Sequence, residues 1–209
     1  GERSLDGFLD KYGISVASGD INGDGFDDLL VGAVQASTPR TTSPFAGAVQ
    51  IIYGRAHPEV IIIDLSQTGA DVTIRGSGSP EGFGRSIAVG DVNGDKIDDI
   101  IIGIIRHATA RTSVIGRFYI FYGKDMPSGT VIDLSNGAKP DVMIMGDTGD
   151  ERLGYTVASA DVNHDNFDDI IMGANLGRNP QGVNSGIVYV VFGRAFGENE
   201  LIELSSADS

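Results

Sequence analysis

The stretch Asp20-Ile21-Asn22-Gly23-Asp24-Gly25-Phe26-Asp27-Asp28 recurs, with small changes, at residues 91–99 and 161–169. The first aspartates of the three copies are 71 and then 70 residues apart. Each copy follows an alternating apolar and small polar run and precedes a short apolar run, which is typical of a loop between two adjacent antiparallel strands. The sequence therefore predicts a threefold repeat with one acidic hairpin in each unit.

Oxygen-bearing side chains occupy positions one, three, five and nine of each copy, and position seven offers a backbone carbonyl. Calcium prefers about 6–8 oxygen ligands, whereas magnesium needs a smaller octahedron and soft metals prefer Cys or His. We therefore expect up to three calcium ions, with the side chain at position seven pointing into the core. The expected ligands are Asp20, Asn22, Asp24, Phe26 and Asp28; Asp91, Asn93, Asp95, Ile97 and Asp99; and Asp161, Asn163, Asp165, Phe167 and Asp169.

Two other interpretations of the loops are an acidic surface turn and an EF-hand. Asn-Gly and Asp-Gly pairs are ordinary hairpin residues, but twelve of the 29 acidic residues fall in these three loops, and crowded carboxylates repel one another without a cation. An EF-hand needs an acid at position twelve and flanking helices, and that position holds Val31, Ile102 and Met172. Cation-binding loops are the favoured interpretation.

Composition narrows the class of protein. The chain has 209 residues, 41% of them apolar, with 30 glycines and no tryptophan, which suits a turn-rich β protein with one sizeable core. A net charge of −14 argues against nucleic acid or an anionic membrane surface as a partner. The absence of cysteine excludes disulfides and thiol chemistry, and no apolar run is long enough to insert in a membrane.

The order of apolar runs predicts an all-β fold of three four-stranded antiparallel repeats with little helix. About four short strands per unit of about 70 residues favour propeller blades over a sandwich. The predicted blades cover residues 12–76, 83–146 and 153–205, with further apolar segments at 61–66, 131–135 and 201–205. Propellers usually have about 4–8 blades, and the third unit lacks a counterpart of the fourth strands at 71–76 and 141–146. We expect either a longer parent chain or a homo-oligomer that closes the ring.

The repeats resemble the FG-GAP repeats of the integrin alpha-subunit β-propeller and its bacterial relatives. The resemblance covers nearly the whole chain. An aromatic-glycine element stands eight residues before the first aspartate as Tyr12-Gly13 and Phe83-Gly84, and it is weakened to Leu153-Gly154. A second glycine element appears as Gly32-Ala33, Gly103-Ile104 and Gly173-Ala174, each without the family's following proline. The resemblance implies calcium binding in the hairpin between the first two strands of each blade.

Position six departs from the repeat pattern, since the turn favours glycine there. The three loops have Gly25, Lys96 and Asn166 at this position. Asn tolerates left-handed geometry better than Lys, which also brings a positive charge near the ion, so the second site is expected to be the weakest. His164 replaces the small residue at position four and is expected to face solvent rather than the ion.

The favoured function is a calcium-stabilised module for protein binding or cell adhesion. In integrin-like propellers the partner face is formed by loops between strands two and three and between blades, away from the calcium loops. The matching regions are residues 38–42, 106–111 and 178–181, which contain Arg40, Arg106, His107, Arg111 and Arg178, and the linkers 77–81 and 147–151. The arginines would suit an acidic partner. Each of these regions is also compatible with an ordinary solvated loop.

Two further classes stay open at the level of sequence. In a carbohydrate-binding propeller Tyr53, Tyr122 and Phe192 would stack on sugars, although their position favours the blade core. FG-GAP repeats also accompany hydrolases such as the phosphatidylinositol-glycan phospholipase D family. The chain itself is not expected to be an enzyme, because it has no cysteine and no Gly-x-Ser-x-Gly motif, and its three histidines have no nucleophile beside them. Calcium loops of low affinity favour an extracellular or periplasmic location.

Overall fold

The computed structural model describes residues 12–34, 46–56, 69–78, 82–105, 116–146, 153–177 and 185–204. Within these residues the chain forms strands, joined by turns, and one 3-10 turn, Leu134–Asn136. The strands are β1 Tyr12–Gly19, β2 Asp28–Ala33, β3 Ala48–Ile52, β4 Val72–Arg75, β5 Phe83–Gly90, β6 Asp99–Ile104, β7 Arg117–Phe121, β8 Thr130–Asp133, β9 Val142–Met145, β10 Thr156–Ala160, β11 Asp169–Ala174, β12 Ile187–Val191 and β13 Glu200–Glu203. The predicted all-β fold is confirmed.

Three antiparallel blades follow the three sequence repeats. The first has the order β1-β2-β3-β4, the second has the order β5-β6-β7-β9, and the third has β10-β11-β12 in the described residues. The registers correspond: Val16 pairs with Val31 in the first blade, Ile87 with Ile102 in the second, and Val157 with Met172 in the third. The pairing follows the period of two in the apolar pattern, which places one set of side chains on each face.

The outer edge of a blade is completed by a strand from the following unit. Strand β8 pairs in parallel with β4 of the first blade, and β13 pairs in parallel with β9 of the second. In sequence these apolar segments, 131–135 and 201–205, fall within the second and third predicted blades, whereas the structure pairs each of them with the preceding blade. The exchange covers the unpaired backbone groups of an edge strand and ties neighbouring units together. The corresponding segment 61–66 lies outside the described residues.

The core lies between the blades rather than within one sheet. Leu30, Val49 and Ile51 of the first blade are fully buried against Phe83 and Ile102 of the second. A second cluster joins the second and third blades. Its buried members include Ala88, Ile101, Phe118, Ile120, Leu153, Ile170 and Met172. Face-to-face stacking of antiparallel sheets is the arrangement of propeller blades, although the described sheets do not close into a ring.

Equivalent positions differ in exposure between the middle and the ends of the stack. Phe118 and Ile120 are fully buried in the second blade, whereas their counterparts Val188 and Val190 in the third blade are 68% and 43% exposed. At the other end Val16 is 63% exposed, while its counterpart Ile87 is buried. The residues that the structure describes therefore leave one apolar blade face open at each end.

Candidate metal-binding loops

The acidic loops are the hairpin connections β1-β2, β5-β6 and β10-β11. In each hairpin the last residue of the first strand pairs with the ninth residue of the loop: Gly19 with Asp28, Gly90 with Asp99, and Ala160 with Asp169. The predicted position of the loop in each blade is therefore confirmed.

The carboxylate at position one organises the bend. In the first loop Asp20 Oδ1 accepts the backbone N–H groups of Gly23 (2.8 Å) and Asp24 (3.0 Å), and Oδ2 accepts that of Gly25 (2.9 Å). Asp91 accepts the corresponding bonds in the second loop, and Asp161 accepts those from positions five and six in the third. The three loops therefore share one backbone conformation.

Positions three and five face each other across the bend. The amide Nδ2 of Asn22 donates to Asp24 Oδ2 at 3.0 Å, and Asp24 Oδ1 accepts the backbone N–H of Phe26 at 2.9 Å. Equivalent contacts join Asn93 to Asp95 and Asn163 to Asp165. Three of the four predicted side-chain ligands therefore lie together at the exposed end of each hairpin.

The carboxylate at position nine is fully buried and has a role that the sequence interpretation missed. Asp28 Oδ2 accepts the N–H of Ile21 (3.1 Å), and Oδ1 accepts the N–H of Gly54 (2.8 Å), which follows the third strand of the same blade. Asp99 and Asp169 accept the same pair of bonds in their blades. The recurrence of a glycine after each third strand is the sequence signal from which these two hydrogen bonds could have been predicted. The three glycines are Gly54, Gly123 and Gly193.

Burial disfavours the ionised form of Asp28 and Asp99. It raises the pKa of Asp28, and it raises the pKa of Asp99 to about 7, with the nearby charges of Asp95 and Asp91 acting in the same direction. In the part of the chain that the structure describes, no Lys, Arg or His side chain forms an ion pair with Asp28, Asp99 or Asp169. A cation in the loop would relieve this repulsion.

The sequence predicts that the side chains at position seven point into the core, but in the structure they do not. Phe26 is 47% exposed. Ile97 lies between Gly123 of its own blade and Gly23 in the loop of the first blade, and Phe167 lies between Gly193 of its own blade and Gly94 in the loop of the second. The interpretation was wrong because sequence periodicity does not reveal which neighbouring unit covers a side chain.

Position six has a left-handed backbone in all three loops, as the sequence predicted. The φ angles are 88° at Gly25, 72° at Lys96 and 72° at Asn166. His164 at position four also has a positive φ of 62°, and its side chain is exposed. Left-handed geometry costs a residue with a Cβ about 1–2 kcal/mol, less for Asn.

We expect the variant Lys96→Gly to bind calcium about threefold or more tightly in the second loop, because the turn loses its backbone strain and a nearby positive charge. Isothermal titration of the variant and the unmodified chain with CaCl2 measures the change. Asn166→Gly is the matched control and should give a smaller gain, since Asn tolerates this conformation. Equal affinities for Lys96→Gly and the unmodified chain would contradict the ranking of the sites.

The donor set fits a hard cation by its chemistry. Each loop offers three carboxylates and one amide oxygen at alternate residues, and an ionised carboxylate has about four acceptor positions, so its bonds to backbone N–H groups leave room for a metal. The described side chains include no group of three or more His, Cys, Asp or Glu already gathered around one point. Ion binding would therefore require carboxylates of the loop to turn toward a common centre.

The aromatic residues after the third strands separate into two groups. The hydroxyl of Tyr53 donates to the carbonyl of Met126 at 2.8 Å, and Tyr53 and Tyr122 both pack against the core clusters. Their predicted place in the blade core is confirmed. Phe192 is 54% exposed on the open face of the third blade, so the interpretation was wrong for this residue.

The stacked antiparallel blades, each with an acidic hairpin between its first two strands, define a β-propeller repeat protein. A profile of the FG-GAP repeat matches residues 12–52, 83–104 and 153–191. The chain therefore carries FG-GAP repeats, and the resemblance drawn from the sequence is confirmed.

Curated proteins similar to this chain include phosphatidylinositol-glycan-specific phospholipases D and integrin alpha chains. Phosphatidylinositol-glycan-specific phospholipase D of Bos taurus is 28% identical over 205 residues, which cover 95% of this chain and 22% of that protein. Integrin alpha pat-2 of Caenorhabditis elegans is 31% identical over 209 residues, which cover 92% of this chain and 14% of that protein. Integrin alpha-7 of Mus musculus is 32% identical over 181 residues, with coverage of 83% and 13%. The chain thus spans a small part of each relative's length.

Within the described residues, the structure contains no apolar helix of the length that a membrane span requires.

Proposed function

We propose that this chain is a calcium-binding propeller module, in which the ion stabilises each blade and the assembled blades present loops to a protein ligand. The observation that carries the calcium function is the buried aspartate behind each loop, fully inaccessible in all three blades and placed beside further carboxylates. Burying ionised groups is costly unless a partner charge is present. Bound calcium supplies that charge at every hairpin.

A calcium titration tests the metal function. We expect up to three Ca²⁺ ions to bind per chain, with backbone amide signals of Gly25, Lys96 and Asn166 shifting as the loops fill, since each donates to the first-position aspartate of its loop. Triple substitution of Asp24, Asp95 and Asp165 by Ala should abolish binding. The matched control is substitution by Ala of three aspartates outside the loops, Asp71, Asp133 and Asp141. This variant should bind the same number of calcium ions as the unmodified chain. A chain that binds no calcium at millimolar CaCl2 would overturn the proposal.

The partner is proposed to be a protein or matrix ligand, which is supported by the similarity to integrin alpha chains. The candidate contact regions 38–42, 106–111, 147–151 and 178–181, with Arg40, Arg106, His107, Arg111 and Arg178, lie outside the described residues, as does most of the linker 77–81. A location outside the cell or in a periplasm follows from the same proposal, because such compartments hold enough calcium for loops of low affinity.

The carbohydrate-binding alternative has weaker support, because Tyr53 and Tyr122 are packed into the blade core. A binding screen separates the two functions: immobilised matrix proteins and a glycan array are probed with the chain in CaCl2 and again in chelator. We expect calcium-dependent binding to a protein surface. Binding to glycans alone would favour the alternative. A further alternative is an accessory role beside a hydrolase domain, which is supported by the similarity to phospholipase D. This chain covers 22% of that enzyme's length.

A further inference from the structure

Two reciprocal hydrogen bonds join the first acidic loop to the second, and an equivalent pair joins the second loop to the third. The backbone N–H of Asp20 in the first loop donates to Asp98 Oδ2 at 3.0 Å, and the backbone N–H of Asp98 donates to the carbonyl of Asp20 at 3.1 Å. The same pair joins Asp91 in the second loop to Asp168 in the third, at 3.1 Å and 2.9 Å. We call each pair of bonds a loop clasp.

The backbone around each clasp is shaped to admit the aspartate. A Cβ atom on Gly19 would lie 2.5 Å from Asp98 Oδ2, and one on Gly90 would lie 2.5 Å from Asp168 Oδ2. Such approaches are shorter than van der Waals contact, so a Cβ at either position would displace the aspartate side chain. The clasp is therefore a close and specific contact, in contrast to a hydrogen bond that a surface carboxylate forms by chance with a backbone group.

Side chains at position seven cover the same junctions. Ile97 lies over Gly23, and Phe167 lies over Gly94, so two consecutive residues of one loop hold the loop of the preceding blade. In the first loop the equivalent residues, Phe26 and Asp27, are exposed. This contrast identifies the clasp as a feature of the junction between blades and not of the isolated hairpin.

The clasp residue lies between two proposed calcium sites. Asp98 is not among the proposed ligands, but it adjoins Asp99, which is the ninth residue of its own loop, and it holds the backbone of Asp20, which is the first residue of the preceding loop. Ordering either loop therefore restricts the other. By linkage, any effect of one site on the calcium affinity of its neighbour must be reciprocal.

We infer that Asp98 and Asp168 are positioning residues that couple neighbouring calcium loops, so that filling one loop raises the calcium affinity of the loop in the preceding blade, and the reverse. This inference depends on the proposed calcium function. It assigns position eight a role distinct from metal ligation, and it predicts that a substitution in one loop weakens calcium binding in a different loop.

The test is a CaCl2 titration of the isotope-labelled chain followed by NMR, with the amides of Gly25, Lys96 and Asn166 reporting on the first, second and third loops. In Asp98→Ala the calcium Kd of the first loop should rise about tenfold, the usual effect of losing a hydrogen bond to a charged group. The third loop should change by less than about twofold, because its clasp is made by Asp168 and not by Asp98. Asp98→Asn should restore most of the first-loop affinity, because its amide oxygen can accept the Asp20 N–H.

Asp27→Ala is the matched control, because Asp27 occupies position eight of the first loop and is exposed. It should leave the second and third loops unchanged. A folded Asp98→Ala chain with an unaltered first-loop Kd would overturn the inference, and so would equal weakening of all three loops. If Asp98→Ala does not fold, the same test is made with Asp168→Ala. The Lys96 signal should then report weaker calcium binding in the second loop.

A second readout does not depend on calcium binding. Hydrogen exchange of the Asp20 amide should be faster in Asp98→Ala than in the unmodified chain, because the clasp protects that N–H. If the unmodified chain binds no calcium, the proposed function fails and the coupling inference fails with it, while faster exchange still identifies the clasp. If calcium binds and exchange is faster but the first-loop Kd is unchanged, only the coupling inference fails.

Discussion

Excess chelator should lower the melting temperature of this chain by roughly 15–30 °C relative to the same chain in CaCl2 at a hundredfold excess over the Kd. An ion that binds only the folded state contributes about 2.7 kcal/mol per site when its free concentration is a hundredfold above the Kd, and about 8 kcal/mol for three sites. For a domain of this size each kcal/mol corresponds to about 2–4 °C. Circular dichroism during a thermal scan, with and without chelator, measures the shift.

The control for this prediction separates loop carboxylates from ordinary surface charge. Asp24→Ala should reduce the calcium-dependent shift, whereas Glu203→Gln, a substitution on β13 and away from the loops, should preserve it. An identical melt in chelator and in calcium would contradict a structural role for the ion.

The pH dependence of the melting temperature in chelator is a second test of the loop carboxylates. The pKa of Asp99 is about 7 in the folded chain, compared with an ordinary value of 3.8, because burial disfavours the charged form. Its contribution to stability is therefore fully present below the ordinary pKa and is lost as the pH rises through about 7. The metal-free chain should melt at a higher temperature at pH 5 than at pH 8. Calcium should flatten this dependence, since the ion favours the ionised carboxylate.

Phe83→Ala should reduce the free energy of unfolding by about 3–5 kcal/mol, the usual cost of removing a buried aromatic side chain. Phe83 is fully buried between the first and second blades, and its ring centroid lies 6.3 Å from that of Tyr119. Its backbone also approaches Gly47, where a Cβ would lie 2.4 Å from the Phe83 carbonyl oxygen. The substitution thus opens a cavity at a junction that cannot collapse freely. Urea denaturation in saturating CaCl2 measures the loss.

Phe192→Ala is the matched control for this prediction. Phe192 is also a phenylalanine, but its side chain is 54% exposed on the third blade, so its removal should cost less than about 1 kcal/mol. Similar losses for the two variants would show that the blade junction is not where the core of this protein lies.

The repeat, the strands and the shape of each acidic loop follow from local sequence alone. These features depend on residues close together in the chain: alternating apolar positions set the strands, and oxygen side chains at alternate residues set the bend. The left-handed backbone at position six was predictable for the same reason, because it follows from the geometry of the turn and holds for Gly25, Lys96 and Asn166 alike.

The contacts between neighbouring units could not be predicted from local sequence and are seen only in the folded chain. Strand β8 belongs to the second unit in sequence but completes the edge of the first blade, and Ile97 and Asp98 contact the preceding loop as well as their own blade. The local pattern around each of these residues is compatible with either placement, since a strand or a loop has the same periodicity whichever neighbour it meets. The choice depends on how the blades stack and bury their apolar faces, which involves residues about 70 positions apart in the chain.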